Sequence, residues 1–473
     1  MRVLHTSLEC YPLAKVGGLG DVVGSLPKYL TELGCITEVI MPFFDNSKIN
    51  ELSCEDIYTD SLVLGSNSFD FTIKKVISSE FGFQIYLVDI KELLYRSNVY
   101  SYEDDTERFV AFQIAILNWL LSIDIKPDII HCHDHHTGLI PFLVSQVGVY
   151  QSLIDIPTVL TIHNAQYQGQ FSYDKLDYIP QFDLHNIGLL DWDQCINPLA
   201  TAIKCAWKVT TVSPSYMEEL QGQANGLEGL LSHEKNKCIG ILNGIDHQTW
   251  NPKTDPMIIS NYGNKNIVSG RKENKNWLCK EFGFDIDKPL FAFIGRLVYE
   301  KGADLLPDIV SEALQHLDIN ILILGSGDPA IESKLRELKE RFPGTYNTYI
   351  GYDEKLSHII YAGADFLLMP SRVEPCGLNQ LYSLRYGLVP IVRKIGGLKD
   401  TVIDIGDGGF GICHDQVNVQ DVYNSIKRGI EFYNDQNRYR KTQKEILKID
   451  HSWNNSANKY IELYKSLKQS HND

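Results

Sequence analysis

Short apolar, β-branched runs alternate along the chain with segments whose apolar residues recur at helical spacing. In the first half the strand-like runs are Val3–Thr6, Glu38–Met41, Gln84–Val88, Asp128–Cys132, Thr158–Ile162 and Val209–Val212. Between the first two, Val22, Val23, Leu26, Tyr29, Leu30 and Leu33 fall on one helical face, which predicts a helix over Asp21–Leu33 with Asp21 as its N-cap. Pro27 argues against that helix or kinks it. The rhythm restarts near residue 290 with Leu290–Ile294, Ile319–Leu324, Asn347–Ile350, Phe366–Met369 and Val389–Val392, and a helix fits over Ala330–Phe342. Near-continuous apolar strands separated by helices predict parallel, doubly wound α/β sheets. Two such series predict two Rossmann-like domains facing each other across a deep cleft rather than one very wide sheet.

The pattern divides the chain into an N-terminal domain over 1–245, a linker region over 246–288, a C-terminal domain over 289–450 and a final helical region over 451–473. The linker assignment rests on Asn251-Pro252, Asp255-Pro256, a polar run from Asn261 to Lys275 and Asp287-Lys288-Pro289, although Asn274–Phe282 fits a short helix. In the final region Tyr460, Leu463, Tyr464 and Leu467 make one apolar stripe that could pack on either domain, the N-terminal one included.

Composition narrows the function. Hydrophobic residues make up 44% of the 473 positions and charged residues 22%, enough for large cores and unlike a disordered chain. Lys plus Arg is 44 against 60 Asp plus Glu, a net charge of −16. Such a balance excludes general nucleic-acid binding and docking on anionic membranes, but leaves room for a local basic pocket that holds phosphate. The ten cysteines form no CxxC, so metal knuckles and thioredoxin-type chemistry are not expected. There is no apolar run long enough for a membrane span, and the first residues carry no signal-like apolar region. Reduced thiols in a cytoplasmic protein are the expectation.

In open α/β sheets ligands bind beyond the carboxyl ends of strands, so the chemistry belongs in the loops that follow them. After the first strand comes Lys15-Val16-Gly17-Gly18-Leu19-Gly20-Asp21, glycines before a helix start that let backbone N–H groups approach an anion. Its spacing is neither GxxxxGK[ST] nor GxGxxG. After the fourth strand, His131-Cys132-His133-Asp134-His135-His136 approaches a metallohydrolase pattern but has His135 where an Asp is needed, so Asp134 and His135 read rather as polar site residues. His163 and Asn164 follow the fifth strand. In the second half Arg296 and Lys301 flank one strand–helix junction and suit a diphosphate. Gly325-Ser326-Gly327-Asp328-Pro329-Ala330 is a GxGxxA run between strand and helix, which makes a dinucleotide oxidoreductase the obvious rival. The acidic partner of that motif would be Asp353 or Glu354, in a loop after Gly351-Tyr352. Ser371-Arg372-Val373-Glu374-Pro375-Cys376-Gly377-Leu378-Asn379 sets a carboxylate beside a shaped helix start, and Gly396-Gly397 opens another. Two DxD pairs, Asp191-x-Asp193 and Asp285-x-Asp287, follow no convincing central strand and are weak metal candidates.

Taken in order, these segments resemble those of bacterial glycogen synthases and plant starch synthases. Lys15–Val22 resembles the family's K-T-G-G-L-A-D-V, Asn243-Gly244-Ile245-Asp246 its N-G-I/V-D turn, Ser371–Leu378 its S-R-F-E-P-C-G-L, and Gly396–Val402 its G-G-L-x-D-T-V. The matches span nearly the whole chain. The resemblance implies the two-Rossmann GT-B fold and retaining transfer of glucose from ADP-glucose to the non-reducing 4-hydroxyl of an α-1,4-glucan such as glycogen, with no metal and no cofactor beyond the donor. It implies that Lys15 and the Gly17-Gly18 backbone touch donor phosphate and glucan-side chemistry. His163 would hold the glucose and support charge at its anomeric carbon, with Asp134 near the glucose and Asn243 beside the transferred sugar. Arg296 and Lys301 would bind the diphosphate, Glu374 would bond glucose hydroxyls, and the amides of Gly377 and Leu378, between Cys376 and Asn379, would cap a phosphate. Tyr352 would stack on the nucleobase.

The chain departs from the family's usual residues at Val16, Gly20, His135, Val373 and Asn379, of which Val16, Gly20 and Asn379 bear on donor choice and turnover. The alternatives are a transferase of the same fold using UDP-glucose or another acceptor, and a non-catalytic glucan-binding protein. Oligomeric state is not legible in the sequence.

Overall fold

The apolar runs of the first half become the strands of one sheet. The computed structural model describes residues 1–78 and 80–469. In the first unit, Met1–Asn243 joined by the segment from Trp453 onward, the strands are β1 (Arg2–Thr6), β2 (Ile36–Pro42), β3 (Cys54–Leu64), β4 (Asn67–Val76), β5 (Gln84–Asp89), β6 (Ile129–His133), β7 (Thr158–Ile162), the short ladder β8 (Asp191–Trp192) with β9 (Cys195–Ile196), then β10 (Lys208–Thr211) and β11 (Cys238–Gly240). The main sheet runs β11-β10-β7-β6-β1-β2-β5-β4-β3. It is parallel from β11 to β5, and the hairpin β3–β4 adds antiparallel strands at one edge. Sequence pattern misses this hairpin because β3 is mostly exposed and polar, as an edge strand tends to be.

The second unit, Gly244–Ser452, holds β12 (Leu290–Ile294), β13 (Asn320–Gly325), β14 (Tyr346–Ile350), β15 (Phe366–Met369), β16 (Val389–Arg393) and β17 (Ile412–His414). They pair in the order β14-β13-β12-β15-β16-β17, all parallel. In the parallel part of each sheet the strand order reverses once, beside β1 and β6 in the first and beside β12 and β15 in the second. Those switch points are where doubly wound sheets open a binding crevice.

Three expectations change. Helix Gly18–Glu32 begins before Asp21, which lies in its first turn and is not its cap. Pro27 sits inside this helix; the Val23 carbonyl that its missing N–H would have bonded takes the Cys10 thiol at 3.6 Å instead. Residues 246–288 are not a separate linker: Ile258, Tyr262, Ile267 and Leu278 join the second unit's core with Leu290 and Leu322. The segment reads as polar because its polar groups work internally. Arg271, buried on helix Ile267–Phe282, donates to the carbonyls of Tyr361, Tyr386 and Ala364, and Asn274 bonds the backbone of Ile259 and Ser260. Helix Trp453–Gln469 packs on the first unit, its Trp453, Tyr460 and Tyr464 against Val3, Val22 and Ile129. Positions 470–473 of the region assigned to it lie outside the described residues. No helix among the described residues is long and apolar enough to cross a membrane.

Candidate active site

The loop after β1 is organised by a residue the sequence does not single out. Glu9 is buried, and its Oε2 accepts the backbone N–H of Val16 at 2.6 Å and of Gly17 at 3.0 Å, while the Tyr100 hydroxyl donates to Oε1 at 2.7 Å. The anion on these amides is thus the chain's own carboxylate. The Gly17 amide is spent on Glu9 rather than left open for a phosphate. Burial raises the Glu9 carboxyl, and the two amides and Tyr100 work against that rise. A Cβ added to Gly17 or Gly18 would meet nothing within 4 Å, so packing does not require glycine there and the loop's outer side is open. Gly24 differs: a Cβ would lie 2.5 Å from the Tyr11 carbonyl oxygen, so the helix needs glycine to approach the loop. Lys15 pairs with Asp21 at 2.7 Å, not with Asp134 or His163.

Asp134 and His163 are brought together by β6 and β7. Asp134 adopts φ 57° with ψ −171°, a positive-φ conformation rare for a residue with a side chain. In return its Oδ1 accepts the His163 backbone N–H at 2.7 Å. Burial pushes the Asp134 carboxyl up to about 7, the amides of His163 and Asn164 oppose this, and the nearby Glu9 adds to the rise. Asp134 therefore acts first as a clamp on the loop that carries His163. His135 packs under that loop, where a Cβ on Gly169 would lie 2.4 Å from its ring. His163 is bonded through Nε2 to His133 Nδ1 at 2.9 Å. One ring nitrogen from each of His5, His131 and His133 lies within 4.8 Å of the others, but both nitrogens of His131 are taken, by Tyr464 and Thr161. Asn243, where the first unit ends, is 7% exposed and its Oδ1 has no hydrogen-bond partner among the described residues.

In the second unit the loops after β12 and β15 meet. Lys301 Nζ lies 2.6 Å from Glu374 Oε1, and Ser371 Oγ donates to Oε2 at 2.9 Å. Arg296 lies in the same loop after β12, its side chain 53% exposed and its only ion pair among the described residues a long one to Glu300 at 3.8 Å. Asn379 Nδ2 donates to the Ile294 carbonyl at 2.7 Å and ties the helix start Asn379–Tyr386 to the end of β12. Leu378 offers this helix no side-chain cap. Gly377 turns the chain at φ 73°, and Cys376 is buried with its carbonyl oxygen bonded by Gln380. Tyr352, beyond β14, is 78% exposed, and the Gly351 N–H bonds the Gly325 carbonyl at 3.0 Å.

The GxGxxA run has a different physical cause from a dinucleotide site. A Cβ on Gly325 would lie 2.0 Å from the Gly295 carbonyl oxygen, and one on Gly327 2.4 Å from that of Leu297. The Gly327 N–H is taken by Glu332, and Asp328 caps the helix Pro329–Arg341. These glycines let two loops touch and are not open to a pyrophosphate. Asp193 sits at φ 55° in the turn between β8 and β9, and Asp285 bonds the Asp287 amide, so both DxD pairs are turns.

Residues 2–233 match the family model for the starch synthase catalytic domain, and 275–446 match glycosyl transferases group 1. The chain is 52% identical over 471 residues to the glycogen synthase of Flavobacterium johnsoniae, covering 99% of this chain and 100% of that one. It is 37% identical to a glycogen synthase of Streptococcus pneumoniae, again over 99% and 100%. Among solved structures, the catalytic domain of starch synthase IV from Arabidopsis thaliana, bound to ADP and acarbose, superposes with a TM-score of 0.89 at 33% identity over 98% of this chain and 99% of that one. A sucrose-phosphate synthase from Thermosynechococcus elongatus shares the fold alone, with a TM-score of 0.64 at 17% identity over 99% of each chain. Two Rossmann-like units, a Lys–Glu pair at a strand–helix junction and full-length relatives of one kind converge: the chain belongs to the glycogen and starch synthase family of GT-B glycosyltransferases.

Proposed function

We propose that this chain transfers glucose from ADP-glucose to the non-reducing 4-hydroxyl of an α-1,4-glucan, with retention at the anomeric carbon. The observation that carries this reading is the Lys301–Glu374 pair in the loop after β12 that also holds Arg296, on a chain similar along its whole length to a starch synthase bound to ADP and acarbose.

Breaking the anomeric C–O bond leaves negative charge on the departing diphosphate. Arg296 and Lys301 are cations present before that charge forms, Lys301 held in place by Glu374, and one well-aimed donor of this kind is worth about 3 kcal/mol. Glu374 orients Lys301 and, through its remaining lone pairs, bonds glucose hydroxyls. The open N–H groups at Gly377 and Leu378 suit a phosphate oxygen at the start of a helix, with Cys376 and Asn379 shaping that turn. Tyr352 offers an exposed ring for the nucleobase. On the acceptor side Lys15 and the open edge of Gly17-Gly18 face the glucan, and His163, clamped by Asp134, meets the transferred glucose with Asn243 beside it. Retention follows from front-face attack: the acceptor oxygen bonds the anomeric carbon as the sugar–phosphate bond breaks, and the acceptor's hydroxyl proton passes to a phosphate oxygen of the departing ADP. The ten free cysteines fit work in the reducing cytoplasm.

The test is incorporation of labelled glucose into glycogen from ADP-glucose and UDP-glucose in parallel, with EDTA present. Incorporation from ADP-glucose despite EDTA is expected. Incorporation from UDP-glucose alone would overturn the donor, and none from either by a folded, glucan-binding sample would overturn the activity.

A further inference from the structure

Behind His163 runs a line of buried imidazoles whose protons can be placed by counting donors. The pairing of β1 with β6 sets His5 beside His131, and the two-residue repeat of β6 puts His133 on the same face. The rings of His131 and His133 lie 4.4 Å apart, and those of His133 and His163 5.2 Å. His5 Nδ1 lies 3.0 Å from His133 Nε2, and His133 Nδ1 lies 2.9 Å from His163 Nε2. The inner end of the line, His5 Nε2, is buried with no partner among the described residues. At the outer end His163 Nδ1 makes no hydrogen bond to the described residues. Burial holds His5 and His163 down to about 3 and His133 well below the ordinary value, so each ring is neutral and carries one N–H.

Two proton arrangements satisfy both inner bonds. In one, each ring holds its proton on Nδ1: His5 donates to His133, His133 donates to His163, and His163 presents an N–H outward. In the other, every proton sits on Nε2, which leaves His163 with a bare lone pair and His5 with a buried N–H that has no acceptor. A buried donor without an acceptor is the rarer and costlier defect, so the first arrangement wins. We propose that His133 and His5 are positioning residues that hold His163 as its Nδ1–H tautomer, so that it offers the transferred sugar a neutral hydrogen-bond donor. The proposal rests on the reading above that His163 meets the glucose. A neutral donor binds a sugar hydroxyl without adding positive charge where the anomeric carbon itself becomes positive.

The neighbouring ring supplies an internal contrast. Thr210 Oγ1 donates to the Leu160 carbonyl at 3.3 Å, so the proton in the Thr161–Thr210 bond, 2.6 Å long, comes from Thr161. Thr161 then accepts from His131 Nε2 at 2.6 Å, and His131 Nδ1 accepts from the Tyr464 hydroxyl at 2.7 Å. His131 is therefore the opposite tautomer. A zinc ion shared by His5, His131 and His133 would need nitrogens roughly 3.3 Å apart, given metal–nitrogen bonds of about 2.0–2.1 Å, and would displace one of the two His131 partners.

Long-range proton–nitrogen correlation spectra of the whole chain labelled with nitrogen-15 in its 14 histidines, assigned by single substitutions, read these tautomers directly. His163 as Nδ1–H and His131 as Nε2–H are expected. His133→Phe should remove the Nδ1–H signature from His163 and lower kcat by roughly 10- to 100-fold, with KM for ADP-glucose within about threefold. His133→Asn, whose amide N–H can replace the donor to His163, should restore the signature and most of kcat. His163 found as Nε2–H in the unsubstituted chain overturns the proposal, as does a His163 signature indifferent to His133→Phe. The unsubstituted spectrum decides alone if that variant does not fold. A chain that shows the Nδ1–H signature yet makes no glucan overturns the proposed activity and leaves the proton assignment standing.

Discussion

Lys301 and Glu374 form the kind of pair whose partners cannot be judged separately. Glu374 is buried, with one oxygen on Lys301 and the other on Ser371. The Lys301 side chain is 24% exposed, so its loss leaves the core untouched. Lys301→Ala is expected to lower kcat by roughly 100- to 1000-fold, with a melting temperature near that of the parent. Glu374→Gln keeps the shape and the Ser371 bond but frees Lys301, for an expected loss of roughly 10- to 100-fold. Steady-state rates with ADP-glucose check both, and near-normal turnover in the two variants would sink the site assignment. These charged groups were legible in the sequence because a cation or carboxylate at a strand–helix junction stands out from the apolar strand before it. Glu9 was not legible. Its meaning lies in two backbone amides that any residue would supply and in Tyr100, 91 positions away.

At the scale of elements, the rhythm of strand and helix was readable wherever both faces of a strand are buried, as in β12, β13 and β15. It failed for the exposed hairpin β3–β4 and for residues 246–288, where polar residues cap internal carbonyls instead of facing water. Glycine was the ambiguous letter. Gly325 and Gly327 carry a ligand signature but serve the contact between two loops. The same contact logic governs Gly397, where a Cβ would lie 2.0 Å from the Cys376 carbonyl oxygen and whose N–H bonds the Glu374 carbonyl at 3.1 Å. Helix Gly396–Thr401 thus presses on the backbone that carries Glu374. Gly397→Ala is expected to destabilise the fold by about 1–3 kcal/mol through overpacking and to lower kcat as the carboxylate shifts. Denaturant melts alongside rates check this, and parent-like values in both would show that the contact does not matter.

The whole molecule stores its buried histidines unevenly. Burial lowers six of them in the first unit, His5, His131, His133, His135, His136 and His163, and three in the second, His247, His414 and His451. Such a ring takes up a proton on unfolding, so its stabilisation is complete above the unfolded value near 6.5 and is lost as pH falls below it. Each contributes a slope of at most about 1.4 kcal/mol per pH unit. Asp134, Glu9 and Asp89, all raised by burial, act in the opposite direction but are only three. Melting temperature is therefore expected to fall steadily from pH 7 to pH 5, with protection from hydrogen exchange lost first in the strands of the first unit. A melting temperature that holds or rises over that range would contradict the assignment. The route of the chain has a consequence for its synthesis. Helix Trp453–Gln469 completes the core of a unit whose sheet ends at β11, yet the ribosome makes all of Gly244–Ser452 in between. At about 5–20 residues per second that interval lasts roughly 10–40 s. Throughout it the nascent first unit shows an uncovered apolar face around Val3, Val22 and Ile129, a natural docking place for a chaperone and the point at which premature termination is most apt to end in aggregation.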